Sequence, residues 1–293
     1  MLYTPYRTFL SKTFPAFRKV RKLSLNGGMT CPNLDGVKGT GGCSYCNNKS
    51  FSPVWDKASV SVADQISEFI PLIHKKYPGA GILAYFQPYT NTYAPVERLK
   101  EIYEPAFASS EIAGVAIGTR PDCLADDVME LLAEENRRKP VILEIGLQTA
   151  NDETLKLIGR GHTLAEFKDA VNRAHLAGLL VTTHVILGLP GETAEDFAKT
   201  AHIVREMGLS AVKIHPLHIV RGTRLADSFA KKEFELLSFD AYCEAVALFI
   251  RIVGMDTAIE RFSGESQNNM LIAPEWSGNR NQIGARVEAL LGG

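Results

Sequence analysis

Three cysteines fall close together near the N-terminus, with eleven residues between Cys31 and Cys43 and two between Cys43 and Cys46. A pair two residues apart can grip one metal centre from neighbouring positions of a tight turn, and a third thiolate closes the face. Gly36, Gly39, Gly41 and Gly42, with the Asp35-Gly36 turn, let the backbone fold around a bulky object without clashes. The count of three decides between chemistries. A structural zinc site wants a fourth Cys or His, and the nearest histidine, His74, lies in a predicted helix. A disulfide would leave one thiol over. A 4Fe–4S cluster on three cysteines leaves one iron open to a reactant. The cluster is the favoured reading and zinc the alternative.

The trio, with Tyr45 immediately before its last cysteine, resembles the cluster loop of radical S-adenosylmethionine (SAM) enzymes. Their commonest first gap is three residues. The longer gap here is similar to the group containing the Elongator catalytic subunit and its shorter bacterial relatives. The resemblance implies a 4Fe–4S cluster on Cys31, Cys43 and Cys46, with SAM bound to the open iron through its amino and carboxylate groups. It implies one-electron cleavage to a 5′-deoxyadenosyl radical that takes hydrogen from a substrate. An electron donor such as flavodoxin or ferredoxin is implied with it, the protein's share being positioning and exclusion of water and oxygen.

The elements that must hold this loop alternate between two periods. Lys22–Asn26, Gly81–Phe86, Gly114–Gly118, Val141–Gln148, Leu180–Leu187 and Val212–Leu217 read as strands. Between them run helical patterns, three opened by capping pairs: Ser61 with Asp64, Thr163 with Glu166, and Thr193 with Asp196. Near-continuous apolar strands alternating with helices predict a parallel sheet covered by helices. Six units are too few for an eightfold barrel, and no Gly-x-Gly-x-x-Gly follows the first strand. The expected fold is α/β: a partial (β/α)6 TIM-like barrel over residues 21–218. A basic, aromatic arm (1–20) precedes it, and an α-rich C-terminal extension (219–293) packs on it, with Ala258–Arg261 as a possible short seventh strand.

Chemistry in parallel α/β folds gathers at the carboxyl ends of strands. Gln87, Thr90, Asn91 and Thr92 end the second strand, where the resembling enzymes contact the methionine amino group; their Gly-Gly-Glu run is absent here. Thr119, Arg120, Asp122 and Cys123 follow the third, in a Thr-Arg-Pro-Asp run similar to the Elongator subunit's. Some relatives carry an acid where Gly118 stands here. The fourth strand bears Glu144 and Gln148, with Arg160 beyond it, in a block similar to the Elongator and oxygen-independent coproporphyrinogen oxidase groups. There the resemblance implies ribose contacts for Gln148 and a methionine-carboxylate clamp for Arg160. Gly-Leu-Pro-Gly-Glu-Thr after Ile186 resembles the segment beneath the adenine, and backbone near His215 and Leu217 is implied to touch the same base. His184 reads as a packed core histidine. Lys213, His215 and His218 are the candidates for holding substrate or moving a proton, and Cys123, at the mouth, for donating hydrogen, with a bystander thiol the alternative.

Net charge is −1, so bulk charge selects no polyanion. No acid precedes Asp35, however, while Arg7, Lys12, Arg18, Lys19, Arg21 and Lys22 interleave with Tyr3, Tyr6, Phe9, Phe14 and Phe17. That pattern suits an RNA backbone with rings for stacking, or an arm whose aromatics pack on the barrel end. Arg221, Arg224, Arg261 and Arg280 are further candidate phosphate contacts. No apolar run reaches membrane-spanning length, and five cysteines, three of them clustered, fit a reducing, cytoplasmic setting. The expected activity is radical modification of a substrate, foremost a tRNA base. The alternatives are a radical enzyme acting on a small metabolite and a non-enzymatic zinc-bearing RNA-binding protein.

Overall fold

The computed structural model describes residues 2–264, 266–267 and 269–293. Its strands are β1 (Val20–Leu25), β2 (Gly81–Phe86), β3 (Ile112–Thr119), β4 (Val141–Gln148), β5 (Leu180–Leu187), β6 (Ala211–Pro216), β7 (Ile219–Val220), β8 (Ala258–Arg261) and β9 (Leu271–Ala273). Its helices are α1 (Tyr6–Thr13), α2 (Asn48–Phe51), α3 (Val62–Lys76), α4 (Val96–Ala108), α5 (Asp126–Asn136), α6 (Asp152–Leu157), α7 (Leu164–Leu176), α8 (Ala194–Glu206), α9 (Arg224–Ala230), α10 (Phe239–Val253) and α11 (Arg280–Gly292). One parallel sheet runs in the order β1-β2-β3-β4-β5-β6-β8. The partial barrel is as expected, and the short seventh strand anticipated at Ala258–Arg261 is present as β8 at its edge. Helix α10 acts as the crossover from β6 to β8, so the C-terminal segment completes the sheet as well as covering it.

Strand alternation separates two environments. Outward residues such as Ala84, Phe86, Val115, Leu143, Val185 and Ile214 join the apolar faces of the helices in one continuous core. All three anticipated caps form: the Ser61 hydroxyl accepts from the Asp64 amide, and Thr163/Glu166 and Thr193/Asp196 close reciprocal capping boxes. Inward residues line the interior of the curled sheet. Its lower part is apolar, made by Leu83, Tyr85, Ala116 and Ile142.

The N-terminal arm fills that lower part. Phe14 is buried against Leu83, Tyr85, Ala116 and Ile142, with Phe9, Leu10 and Phe17 beside it. Glycine is needed beneath two of these rings: a Cβ on Gly114 would stand 2.6 Å from Phe14, and one on Gly81 would stand 2.5 Å from Phe17. The arm also bridges the sheet's edges, as the Ile259 amide donates to the Thr4 carbonyl at 2.8 Å. The aromatics thus pack on the barrel end and are not presented for base stacking. Lys22 likewise points inside, leaving Arg7, Lys12, Arg18 and Lys19 as the arm's exposed cations.

Because Phe14 plugs the barrel, Phe14→Ala should destabilise the protein by about 3–5 kcal/mol, the usual cost of deleting a buried aromatic ring. Denaturant unfolding measures this. A loss below about 1 kcal/mol would show that the arm lies on the barrel without sealing it.

Candidate active site

Above the apolar plug the barrel interior becomes ionic. Glu144 on β4 is buried, with one carboxylate oxygen 2.5 Å from Lys22 of β1 and the other 2.5 Å from Lys213 of β6 and 3.0 Å from His184 of β5. Lys22 also reaches Glu260 of β8 at 2.8 Å. Burial alone would raise the Glu144 pKa, but Lys213, Lys22 and His184 outweigh it and hold the group well below the usual carboxylate range. His184, expected as a packed core residue, instead shows one face to the cavity above; burial pushes its pKa down to about 4, so it is neutral.

The cavity over this layer has a volume of about 410 Å³ and opens at the carboxyl ends of the strands. Cys31, Cys43 and Cys46 share one of its walls, and all three are free thiols. Tyr45, Gln87, Thr119, Glu144, Gln148, Arg160, Ile186, His215 and Leu217 line the same space. Four other candidates do not. Asn91 is buried, its amide donating to the carbonyls of Phe86, Pro88 and Gly118, so it shapes the turn after β2. The Thr92 hydroxyl is held between Thr119 Oγ1 and the Cys123 carbonyl, both at 2.5 Å. Cys123 lies behind that contact, its thiol pushed up to about 12 mainly by burial. Lys213 sits below the cavity, committed to Glu144.

The cysteine loop is anchored to other elements by contacts with no sequence signature. Asn26, at the end of β1, is tied to Gln65 of α3, whose amide donates to the Asn26 carbonyl at 2.9 Å. The Asn33 amide reaches the carbonyls of Gly159 (2.8 Å) and Arg160 (3.0 Å) and lies 3.3 Å from Cys43 Sγ. The Ser44 amide donates to the Ile158 carbonyl at 2.9 Å. Arg224, a candidate phosphate contact by sequence, instead donates to the Thr40 and Gly42 carbonyls at 3.3 and 2.7 Å. Arg221 likewise donates to the Asn269 carbonyl.

Arg160 is aimed by its neighbours. Its Nη2 donates to the Gly146 carbonyl at 3.0 Å, its Nε to His162 Nε2 at 3.1 Å, and its Nη1 stands 3.9 Å from Cys43 Sγ. A Cβ on Gly146 would lie 2.6 Å from both Arg160 Nη2 and Gln148 Nε2, so a side chain there would push the pair out of its present place. Gln148 itself has φ +75°, a left-handed backbone uncommon outside glycine and a mark of local strain. Burial, then Arg160, pushes the His162 pKa down to about 3. Neutral His162 accepts from Arg160 and turns Nδ1 toward the Thr163 carbonyl at 3.2 Å.

The thiols suit a cluster. Donors from Asn33 and Arg160 approach Cys43 Sγ, the arrangement that stabilises thiolate sulfur. Burial foremost, then Cys43, raises the Cys46 thiol to about 12, so a bound metal would have to displace its proton. Among the described residues, no group of three or more His, Cys, Asp or Glu is already closed to single-ion spacing.

A family model described as the Radical SAM superfamily matches residues 36–204, more than half of the chain. The chain belongs to the radical SAM superfamily. A second model, the Radical_SAM C-terminal domain, matches residues 209–291. Superfamily members use a 4Fe–4S cluster and S-adenosylmethionine, and these are the cofactors here. Protein YhcC of Escherichia coli is 39% identical over 268 residues, covering 90% of this chain and 84% of that protein. Uncharacterized protein YtqA of Bacillus subtilis is 37% identical over 268 residues, covering 90% and 82%. A shorter match is to a probable threonylcarbamoyladenosine tRNA methylthiotransferase of Methanocaldococcus jannaschii, 38% identical over 96 residues, or 32% of this chain and 22% of that one. In fold, the chain is similar to archaeal Elp3 of Methanocaldococcus infernus (TM-score 0.68, 17% identity), covering 93% of this chain and 63% of Elp3. It is also similar to coproporphyrinogen III oxidase (HemN) of E. coli (TM-score 0.53, 19% identity), covering 85% and 57%. No helix among the described residues is long and apolar enough to cross a membrane.

The depressed pKa of His162 sets an acid limit on this radical SAM protein. The unfolded chain protonates it near 6.5, whereas the fold resists until about 3, so its contribution is complete above 6.5 and is lost as pH falls toward 3. Between pH 7 and 5 this amounts to about 2 kcal/mol. Denaturant titrations should show His162→Gln losing less stability than the wild type by that amount. Equal losses would mean that His162 takes up its proton within the fold.

Proposed function

We propose that this radical SAM enzyme reductively cleaves SAM and that its substrate is a base of tRNA. When bound, the cluster and SAM supply a one-electron cleavage that yields a 5′-deoxyadenosyl radical able to take hydrogen from a substrate. The observation that carries the enzyme reading is one cavity in which the three thiols, Arg160 and Gln148 meet at the carboxyl ends of the strands. Arg160, aimed by Gly146 and His162, presents a planar fork for the methionine carboxylate. Gln148 offers its amide to the ribose, and Ile186 and Leu217 give apolar surface to the adenine. Thr119 and Gln87, at neighbouring strand ends, complete the polar rim.

Two observations favour a nucleic-acid base. The partial relatives include proteins named as a probable threonylcarbamoyladenosine tRNA methylthiotransferase and a tRNA-2-methylthio-N(6)-dimethylallyladenosine synthase. Phe51 of α2 lines the cavity yet remains 41% exposed, an aromatic face at the mouth on which a base can stack. The N-terminal arm adds no stacking surface, its aromatics being packed on the barrel.

The test is anaerobic reconstitution with reductant and SAM, with and without bulk tRNA, followed by mass analysis of 5′-deoxyadenosine and nucleosides. Bulk tRNA should raise 5′-deoxyadenosine several-fold and yield a nucleoside of new mass. An unchanged rate and unchanged nucleosides would reject tRNA in favour of a small metabolite. Cys43→Ala should reduce cleavage to background; sustained cleavage would reject the cysteine site.

A further inference from the structure

Three guanidinium groups border the cavity, and two are already occupied. Arg120 is buried against Asp122, with Nε–Oδ1 of 3.0 Å and Nη2–Oδ2 of 2.9 Å. Arg160 is fastened beside Cys43, where the methionine carboxylate of SAM would lie. Arg261 is different. It ends β8, the edge strand opposite β1 in the sheet order, and its side chain makes no hydrogen bond or ion pair among the described residues. Its Nε is buried without a partner. The adjacent carboxylate, Glu260, turns away to Lys22 and Lys213.

Among the described residues, the surroundings of Arg261 are polar but give its side chain no anion. His215 and His218 line the same part of the cavity, and His218 Nε2 is also buried without a partner. The His218 ring lies so close to Gly264 that a Cβ there would stand 2.7 Å from it. Burial, then Arg261, pushes the His218 pKa down to about 4, so the ring is neutral and its Nε2 can carry a proton to donate. A half-buried cation and an unsatisfied ring nitrogen facing one void both gain when an oxyanion enters.

We infer that Arg261, assisted by His218, forms an oxyanion-binding end of the substrate site, so that the substrate carries a phosphate or a carboxylate. The inference rests on the radical SAM reading, which assigns the single carboxylate of the cofactor to Arg160 and leaves Arg261 for the substrate. It does not depend on the substrate being tRNA. A phosphate flanking a target nucleotide and a carboxylate on a metabolite offer the same oxygens to a guanidinium fork.

The experiment uses the anaerobic holoenzyme loaded with SAM and titrated calorimetrically with two matched pairs: adenosine 5′-monophosphate against adenosine, and succinate against succinamide. At least one anion should bind tenfold or more tighter than its neutral partner, about 1.4 kcal/mol. The pair showing the preference identifies phosphate or carboxylate. Arg261→Gln should erase the preference, and Arg261→Lys, which keeps the charge without the fork, should reduce it at least threefold. The lysine variant decides the matter if the glutamine variant does not fold. Equal binding within both pairs, or a preference that survives these changes, overturns the subsite. Cleavage of SAM by the wild type in the same preparation reports separately on the radical reading: its failure beside an intact anion preference would sink that reading alone.

Discussion

A parallel sheet that curls without closing leaves two edges, and here they are joined through charge inside the barrel. Lys22 on β1 and Glu260 on β8 stand 2.8 Å apart, although the sheet order places their strands at opposite ends. Glu144 lies between them and Lys213, one oxygen to each lysine. Burying these groups singly would be prohibitive, and together they are tolerable only because each is met at close range. The cluster therefore demands that β1, β4, β6 and β8 be in register, which is also the condition for the cavity above to exist.

That ionic layer is a floor. Beneath it lie Phe14, Leu83, Ala116 and Ile142 with no unmet polar need. Above it lie cysteine, histidine and arginine side chains around a void. A radical enzyme needs such a division, since the reactive end must be shaped and shielded while the far end stays sealed. The arm contributes by sealing, which is why its aromatics are spent on the barrel and its tip bonds to β8.

The cysteine loop contributes three thiols but little rigidity of its own. Asn33, Ser44 and Arg224 fasten it to the segment after β4 and to α9, so the loop that carries the sulfurs is bonded directly to the segment that carries Arg160. His162 then orients Arg160, and Gly146 makes room for it. Cys43 and Arg160, over a hundred residues apart in the chain, are thereby held a few ångströms from each other.

Local signals in the chain were enough to determine the parallel α/β class and the helix caps, and to single out the three clustered cysteines that share one cavity wall. Periodicity, capping pairs and cysteine spacing are short-range properties that survive without a fold. Strand ends were legible too, and with them Gln148, Arg160 and His215 on the cavity wall. Sequence could not decide which polar residues at those ends face the void: Asn91 and Thr92 satisfy backbone and each other's neighbours, and Lys213 answers Glu144. Nor could it choose between a nucleic-acid arm and a barrel plug, because both want the same aromatics and cations. The ionic floor and the absence of a side-chain partner for Arg261 among the described residues came only with tertiary structure. Each is defined by partners brought together from distant segments, and no single stretch of chain contains the pairing energy that selects them.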